Sequence, residues 1–146
     1  MTALFSAEKI TSTLPGDLSS NVVETKDSFI LVKVDSIPGF IGFLKNTAGF
    51  EFDYLADLTA VDYWEYFELV YRLYSIKNNH SIVVKTRLPG RENLTAPSIT
   101  NLFVGATLME REIFDLFGIK FEGHSNLRRI FLWEGFQGYP LRRDYL

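Results

Sequence analysis

The sequence predicts one domain that contains both β-strands and α-helices. A chain of 146 residues fits a single domain of ordinary size. One central stretch alternates apolar and polar residues as a β-hairpin does, and a later stretch repeats apolar residues at helical spacing. Hydrophobic residues make up 47% of the chain, with 13 Phe and 7 Tyr, so there is enough apolar area to bury a core.

The first third is predicted to contain a short N-terminal helix, a loop, a strand and a second helix. The loop is Thr11–Asn21, which is rich in Ser, Thr, Gly and Pro. Ser28–Val34 has the composition of a strand. The second helix begins within Asp35–Pro38, where a polar cap precedes a proline in the first turn, and it ends near Gly49.

The middle third is predicted to form a hairpin. Phe52–Val61 is a strand that leads into it. Apolar and polar residues alternate from Phe67 to Tyr74, and apolar residues continue at every second position from Ile82 to Leu88. Lys77–His80 supplies the turn between these two strands, so we expect the His80 side chain to be exposed.

The last third is predicted to begin with a loop, Pro89–Pro97, after which Ser98 caps a short helix. A longer helix covers about Ala106 to Phe117, because apolar residues recur from Met109 at helical spacing. Gly118 is then expected to take the left-handed conformation that closes this helix, since glycine has no Cβ to clash there.

The chain is therefore divided into a domain, residues 1–126, and a C-terminal segment, residues 127–146. The segment mixes bulky apolar residues with arginines and shows neither helical nor strand periodicity. It is too apolar for a solvated tail and too irregular for a core element. We expect an extended segment that lies along a partner protein, with part of it anchored on this domain.

Composition excludes several classes of protein. The net charge of −3 argues against a general nucleic-acid-binding protein. The absence of cysteine excludes disulfides and cysteine-ligated iron–sulfur or zinc sites within this chain. No run approaches the roughly 20 apolar residues that span a bilayer, and Met1–Ser12 lacks the features of a signal peptide. We expect a cytosolic protein, or one held at a membrane through a partner.

The acidic residues Glu110, Glu112 and Asp115 share the long predicted helix with Arg111. Acid–base catalysis would use such carboxylates, but spacing alone favours a solvated helix face on which Arg111 and Asp115 are neighbours. A third interpretation is that the carboxylates orient the arginines of residues 127–146 by bidentate pairs. We favour this interpretation, because those arginines otherwise lack a role.

His124 follows a glycine and is expected to be a turn residue whose ring bonds nearby backbone, rather than a metal ligand or a general base. The aromatic residues of the C-terminal segment interleave with arginines. Surfaces that bind single-stranded RNA have this composition, and so do protein interfaces. Because the net charge is −3, we favour a protein interface and expect no nucleic-acid partner.

Five stretches together resemble a known family. They are Leu58-Thr59-Ala60-Val61-Asp62-Tyr63, Glu110-Arg111-Glu112-x-x-Asp115-x-Phe117-Gly118-Ile119, Phe121-x-Gly123-His124, Leu127-Arg128-Arg129-Ile130 and Gly138-x-Pro140-Leu141-Arg142-Arg143-Asp144-Tyr145. This pattern resembles the C subunit of respiratory complex I, the NADH–quinone oxidoreductase. The resemblance covers most of the chain from about Pro38 onward.

The resemblance implies an α+β fold with a mixed sheet and helices on one side of it. It implies a non-catalytic structural subunit of the peripheral arm, at the cytoplasmic face of the cell membrane, whose membrane association is indirect. The expected partners are the D subunit, which helps to form the quinone site, and the B and I subunits. No cofactor is expected in this chain, and the iron–sulfur clusters and FMN are expected in partner subunits.

Two alternatives remain open at this point. The first is the equivalent subunit of a membrane-bound energy-converting hydrogenase, or of a similar complex with another electron donor. The second is an RNA-binding α+β module. In the favoured interpretation, the residues expected to carry the subunit interface or its structural motif are Glu110, Arg111, Glu112, Asp115, Gly118, His124, Arg128, Arg129, Pro140, Leu141, Arg142, Arg143 and Asp144.

Overall fold

The computed structural model describes residues 3–146, so Met1 and Thr2 of the segment inspected for a signal peptide lie outside it. Its centre is a six-stranded mixed sheet. The strands are β1 (Ala3–Leu4), β2 (Val22–Thr25), β3 (Ile30–Val32), β4 (Tyr54–Asp62), β5 (Tyr66–Ser75) and β6 (His80–Pro89). They are ordered β2-β3-β6-β5-β4, and β1 also pairs with β6. The pairings of β1 and β3 with β6 are parallel and the others are antiparallel.

The described residues also form four helices, and all but the shortest of these helices pack on one face of the sheet, in agreement with the predicted α+β fold. The four helices are α1 (Ala7–Ser12), α2 (Gly16–Ser19), α3 (Ile37–Asn46) and α4 (Ala106–Phe117). Apolar residues of α1, α3 and α4 share one buried cluster with the alternate residues of β5 and β6 that include Phe67, Tyr71 and Val84. The opposite face carries charged residues, and there the buried Glu68 carboxylate pairs with Lys85 Nζ at 3.3 Å and with Arg87 Nε at 3.2 Å.

The predicted hairpin and the two main helices are confirmed, with small shifts at their ends. Strands β5 and β6 pair from Tyr66–Pro89 to Ser75–His80. Helix α3 follows a 3-10 turn at Val34–Ser36, and a proline lies in its first turn. The predicted polar cap does not form, because the Ser36 hydroxyl donates to the Lys33 carbonyl oxygen at 2.7 Å instead.

Four local predictions were wrong, and contacts distant in sequence account for two of them, those for Pro89–Pro97 and for His80. The loop Thr11–Asn21 contains α2. The loop Pro89–Pro97 contains β7 (Thr95–Pro97), which pairs in parallel with β8 (Lys120–Glu122). The helix expected after Ser98 is a series of turns. The His80 side chain is partly buried: its Nε2 lies 3.0 Å from the Phe50 carbonyl oxygen, and aromatic rings flank it.

Residues 127–146 contain no helix or strand. They fold back from β8 over the C-terminal end of α4 and reach the turn between β4 and β5, where the Arg143 N–H donates to Asp62 Oδ2 at 2.8 Å. None of the helices between residues 3 and 146 is long and apolar enough to cross a membrane.

Candidate functional site

Position 118, where α4 ends, requires glycine for two separate reasons. Gly118 has φ 78° and ψ 20°, and its N–H donates to the Phe114 carbonyl oxygen at 2.9 Å. This left-handed closure confirms the prediction made from the sequence. In addition, a Cβ at this position would lie 2.6 Å from Tyr139 Cε2 and 2.9 Å from Arg142 Nη2. The missing side chain is therefore also what lets the C-terminal segment approach the helix.

The carboxylate of Asp115 holds the C-terminal segment to α4. The Asp115 side chain is fully buried, and Oδ2 accepts the backbone N–H groups of Ile130, Phe131 and Leu132 at 3.2, 2.8 and 3.2 Å. Arg129 Nη1 lies 3.4 Å from Oδ1. Consecutive N–H groups that converge on one anion form a binding concavity for it. Asp115 is thus an intrachain anchor as predicted, but most of its hydrogen bonds go to backbone N–H groups rather than to an arginine side chain.

The other two acidic residues of α4 do not anchor the segment, so that part of the prediction was wrong. Glu110 is fully buried and faces the turn before α4, where its carboxylate accepts Ile99 N–H at 2.8 Å and the Ser98 hydroxyl at 2.7 Å. Burial raises the pKa of Glu110 above its ordinary value. Glu112 is exposed and has no hydrogen-bond or ion-pair partner within residues 3–146.

The arginines bind mainly carbonyl oxygens and aromatic rings. Arg111, a helix neighbour of Asp115, donates to the carbonyl oxygens of Arg128 and Arg129 at 3.1 and 3.0 Å. Arg142 donates from Nε to the Phe117 carbonyl oxygen at 2.6 Å and from Nη1 to that of Arg91 at 2.9 Å. The first bond satisfies the last carbonyl of α4, and the second joins Arg142 to the loop after β6. The Arg142 guanidinium is therefore bound within the chain and is not a free contact for a partner.

Tyr139 lies between two of these guanidinium groups. The Cζ atoms of Arg129 and Arg142 lie 5.0 and 5.1 Å from the centre of its ring. Arg129 also donates to the Gly138 carbonyl oxygen at 3.0 Å, and Leu141 N–H donates to the Leu116 carbonyl oxygen at 3.0 Å. The position of this part of the segment on α4 is therefore fixed by the guanidinium groups stacked on Tyr139, by hydrogen bonds to the backbone and by the contact at Gly118.

Asp62 is a second anchor, which the sequence did not reveal as one. It accepts the Arg91 guanidinium through both oxygens, the Trp64 N–H at 2.8 Å and the Arg143 N–H at 2.8 Å. Arg91 Nη2 also lies 3.0 Å from Asp144 Oδ1. The Arg91 guanidinium holds the pKa of Asp62 well below its usual range. Asp62 was noted only within the stretch Leu58–Tyr63, and no local pattern pointed to Arg91.

The remaining predicted residues have separate positions. His124 Nε2 lies 2.9 Å from the Thr107 carbonyl oxygen, and its Nδ1 accepts Asn126 N–H at 3.0 Å. This confirms a turn residue whose ring bonds backbone. Pro140 is partly buried before Leu141, while Arg128 is exposed and its guanidinium has no partner within residues 3–146. The part of the chain that the structure describes contains no group of three or more His, Cys, Asp or Glu side chains that could hold a metal ion.

The segment exposes large apolar side chains although its backbone is held. Phe131 is 65% exposed, Trp133 69% and Leu141 53%. Leaving apolar surface in water costs roughly 25 cal/mol for each Å² that could have been buried. Anchored backbone with exposed aromatic side chains is the arrangement expected of a surface that another protein covers.

Comparisons with known proteins identify the family of this chain. A relative from Rhizobium meliloti (strain 1021), named as the C 2 subunit of NADH-quinone oxidoreductase, is 44% identical over 117 residues, which are 78% of this chain and 63% of the relative. A relative from Sulfurihydrogenibium sp. (strain YO3AOP1), named as the C/D subunit of NADH-quinone oxidoreductase, is 45% identical over 118 residues, 78% of this chain and 20% of the relative. The chain spans 61–66% of the length of three relatives named as C subunits.

A solved structure has the same fold. It is titled "Structure of the membrane-bound sulfane sulfur reductase (MBS), an archaeal respiratory membrane complex", and its similarity has a TM-score of 0.75 at 24% identity over 94% of this chain and 82% of that chain. At this identity the likeness establishes the fold alone. The family model described as "Respiratory-chain NADH dehydrogenase, 30 Kd subunit" matches residues 30–146. This match covers all of the anchors described above, and the chain therefore belongs to the family of the 30 kDa subunit of respiratory-chain NADH dehydrogenase.

Proposed function

We propose that this chain is a non-catalytic structural subunit in the peripheral arm of a proton-translocating NADH:quinone oxidoreductase. In this role it docks its C-terminal segment on the subunit that forms the quinone site and supports electron transfer from NADH to quinone. The observation that carries the proposal is the contrast within residues 130–133. The backbone there is bonded to buried Asp115, while Phe131 and Trp133 are left about two-thirds exposed at 65% and 69%.

The proposed partners are the D subunit first, and then the B and I subunits. The relative in Sulfurihydrogenibium sp. carries the name C/D, so in that protein the two subunits are named as one chain. Parts of one polypeptide are usually adjacent in space. This supports a position for the present chain immediately beside the D subunit.

The redox cofactors belong to the partners in this proposal. The chain contains no cysteine, and iron–sulfur clusters are held mainly by cysteine thiolates. The clusters and FMN would therefore lie in neighbouring subunits, and this chain would position those subunits without binding a cofactor. Its membrane association would be peripheral and indirect, through the complex at the cytoplasmic face of the cell membrane.

The test is to tag the chain in its own organism and purify it from solubilised membranes. We expect iron–sulfur subunits, the D subunit and NADH:quinone activity to purify with it. The double variant Phe131→Ser/Trp133→Ser should lower this recovery, because the lost aromatic contacts face the partner. Val23→Ser is the matched control, since Val23 is 59% exposed but lies on the edge strand β2.

Two results would contradict the proposal. One is recovery of the tagged wild-type chain without any membrane complex. The other is recovery of a complex that lacks NADH:quinone activity and takes its electrons from hydrogen or another donor, which would favour the alternative assignment to a related complex.

A further inference from the structure

Trp64 is an exposed aromatic residue on a strained backbone. It lies in the turn between β4 and β5, has φ 71°, and is 49% exposed. A bulky residue with positive φ is uncommon, because its Cβ crowds the neighbouring carbonyl. Such strain persists only where surrounding contacts over-determine it, and it is concentrated at functional sites.

Hydrogen bonds within the turn and to Arg91 hold it in place. The Trp64 N–H donates to Asp62 Oδ1 at 2.8 Å, and the Trp64 carbonyl oxygen accepts Arg91 Nη1 at 3.3 Å. Glu65 N–H donates to the Tyr63 carbonyl oxygen at 2.9 Å. The indole is therefore presented to solvent by a rigid turn. A group that is already ordered loses less conformational entropy when a partner covers it.

Arg143 places an unneutralised positive charge beside this indole. Its backbone N–H is fixed on Asp62 Oδ2, and its guanidinium carbon lies 5.9 Å from the centre of the Trp64 ring. That guanidinium has no hydrogen-bond or ion-pair partner within residues 3–146. Arg91 also stacks on Trp64, at 5.2 Å, but its charge is balanced by Asp62 and Asp144.

We propose that Tyr63, Trp64 and Arg143 form a docking hot spot for a protein partner that presents a carboxylate next to apolar surface. This deepens the proposed function and rests on it, with the partner a neighbouring subunit of the same complex. The rings of Trp64 and of the 45% exposed Tyr63 supply the apolar contact. The planar guanidinium of Arg143 matches a carboxylate bidentately, and Trp, Tyr and Arg are the residues enriched at hot spots.

The charges around the patch favour a single carboxylate over a polyanion. Glu65 follows Trp64 and Asp144 follows Arg143 in the chain, and negative charges so close to the patch would repel the successive phosphates of RNA or of an anionic lipid surface. Only one cation of the patch lacks a counter-charge among the described residues. One carboxylate satisfies it.

The test uses the tagged chain in the native membrane complex. Trp64→Gly removes the ring and its stacking on Arg91 and Arg143, and it also relieves the positive-φ strain. Because these effects oppose each other, the melting temperature of the chain should change little. Arg143→Gln removes only the charge. We expect each variant to lower incorporation into the complex about tenfold or more, as hot-spot residues do.

Matched controls separate docking from general surface effects. Ile76→Gly removes a 72% exposed apolar residue in the turn at the other end of β5. Arg72→Gln removes an exposed arginine from β5 itself. Both controls should be incorporated like the wild type.

A second measurement identifies the partner chemistry. Arg143→Lys keeps the charge and adds an amine that a carbodiimide can join to a touching carboxylate. In the assembled complex we expect a zero-length cross-link from this position to an Asp or Glu of a neighbouring subunit, and none from Arg72→Lys. A cross-link-free Arg143→Lys complex, or contact of this position with RNA or lipid instead, would overturn the inference.

The outcomes distinguish the inference from the function on which it rests. If the wild-type chain assembles and both Trp64→Gly and Arg143→Gln are incorporated normally, the hot spot is wrong and the proposed function stands. If only Trp64→Gly lowers incorporation, the carboxylate partner is wrong. If the wild-type chain is absent from any such complex, the proposed function fails and the inference fails with it.

Discussion

Replacement of Gly118 by alanine tests whether the C-terminal segment is seated on the end of α4. At φ 78° an added side chain must adopt the left-handed conformation, which costs roughly 1–2 kcal/mol for a non-glycine residue. Its Cβ would also lie 2.6 Å from Tyr139 Cε2. Real Cβ contacts are not that short, so the Tyr139 ring must move.

The second effect adds to the first. The Tyr139 ring stacks on the guanidinium groups of both Arg129 and Arg142, and exposed cation–π contacts contribute about 0.5–1 kcal/mol each. Displacing the ring forfeits about 1–2 kcal/mol. With the backbone cost, Gly118→Ala should lower the free energy of unfolding by about 2–4 kcal/mol.

Gly90→Ala is the matched control. Gly90 has φ +84°, but nothing lies within 4 Å of the position of its added Cβ. In Gly90→Ala only the backbone cost applies. Alanine also lowers the conformational entropy of the unfolded chain, and this effect is the same in both variants. The difference between the two variants therefore isolates the contact with the segment.

Guanidinium chloride unfolding of the full chain measures both losses. In addition, limited proteolysis should release residues 127–146 faster from Gly118→Ala than from Gly90→Ala. Losses that agree within about 0.5 kcal/mol, the scatter of independent sites, together with equal proteolysis, would refute the placement of Tyr139 against Gly118.

Two further predictions concern the carboxylate anchors. Asp115→Asn should weaken the binding of the 130–132 backbone to α4 by about 1.5–3 kcal/mol, the value of a hydrogen bond to a charged group. The amide hydrogens of those residues should then exchange faster than in the wild type. If their exchange rates equalled those of a Glu112→Gln control, Asp115 would not be an anchor. Arg91 lowers the pKa of Asp62 from its ordinary value of about 3.8. The stabilisation that Asp62 contributes is therefore complete above this ordinary value and is lost as pH falls through the lower folded-state pKa. The Asp62→Asn variant should therefore have a lower free energy of unfolding in urea near neutral pH, and this free energy should fall less as the pH is lowered. If its dependence on pH ran parallel to that of the wild type, Asp62 would not contribute in this way.

Elements with a strong local period could be predicted from the sequence. The alternation around Phe67 identified β5, because successive side chains of a strand point to opposite faces. The spacing from Met109 identified α4, and Gly118 its end, because helix faces and left-handed closures depend on neighbours a few residues away. The shorter elements β1, β2, β7 and β8 escaped notice, because two to four residues carry no period.

The anchors of the C-terminal segment divide in the same way. By itself the sequence determined that residues 127–146 are apolar, rich in arginine and without regular structure, and that Asp115 is available on the helix before them. Only the tertiary structure decided that Asp115 would hold three backbone N–H groups while Glu110 turned to Ser98. It also brought Asp62 to Arg143, 81 positions apart. A carboxylate accepts any N–H that chain folding brings within reach, and which one arrives depends on how the whole chain packs.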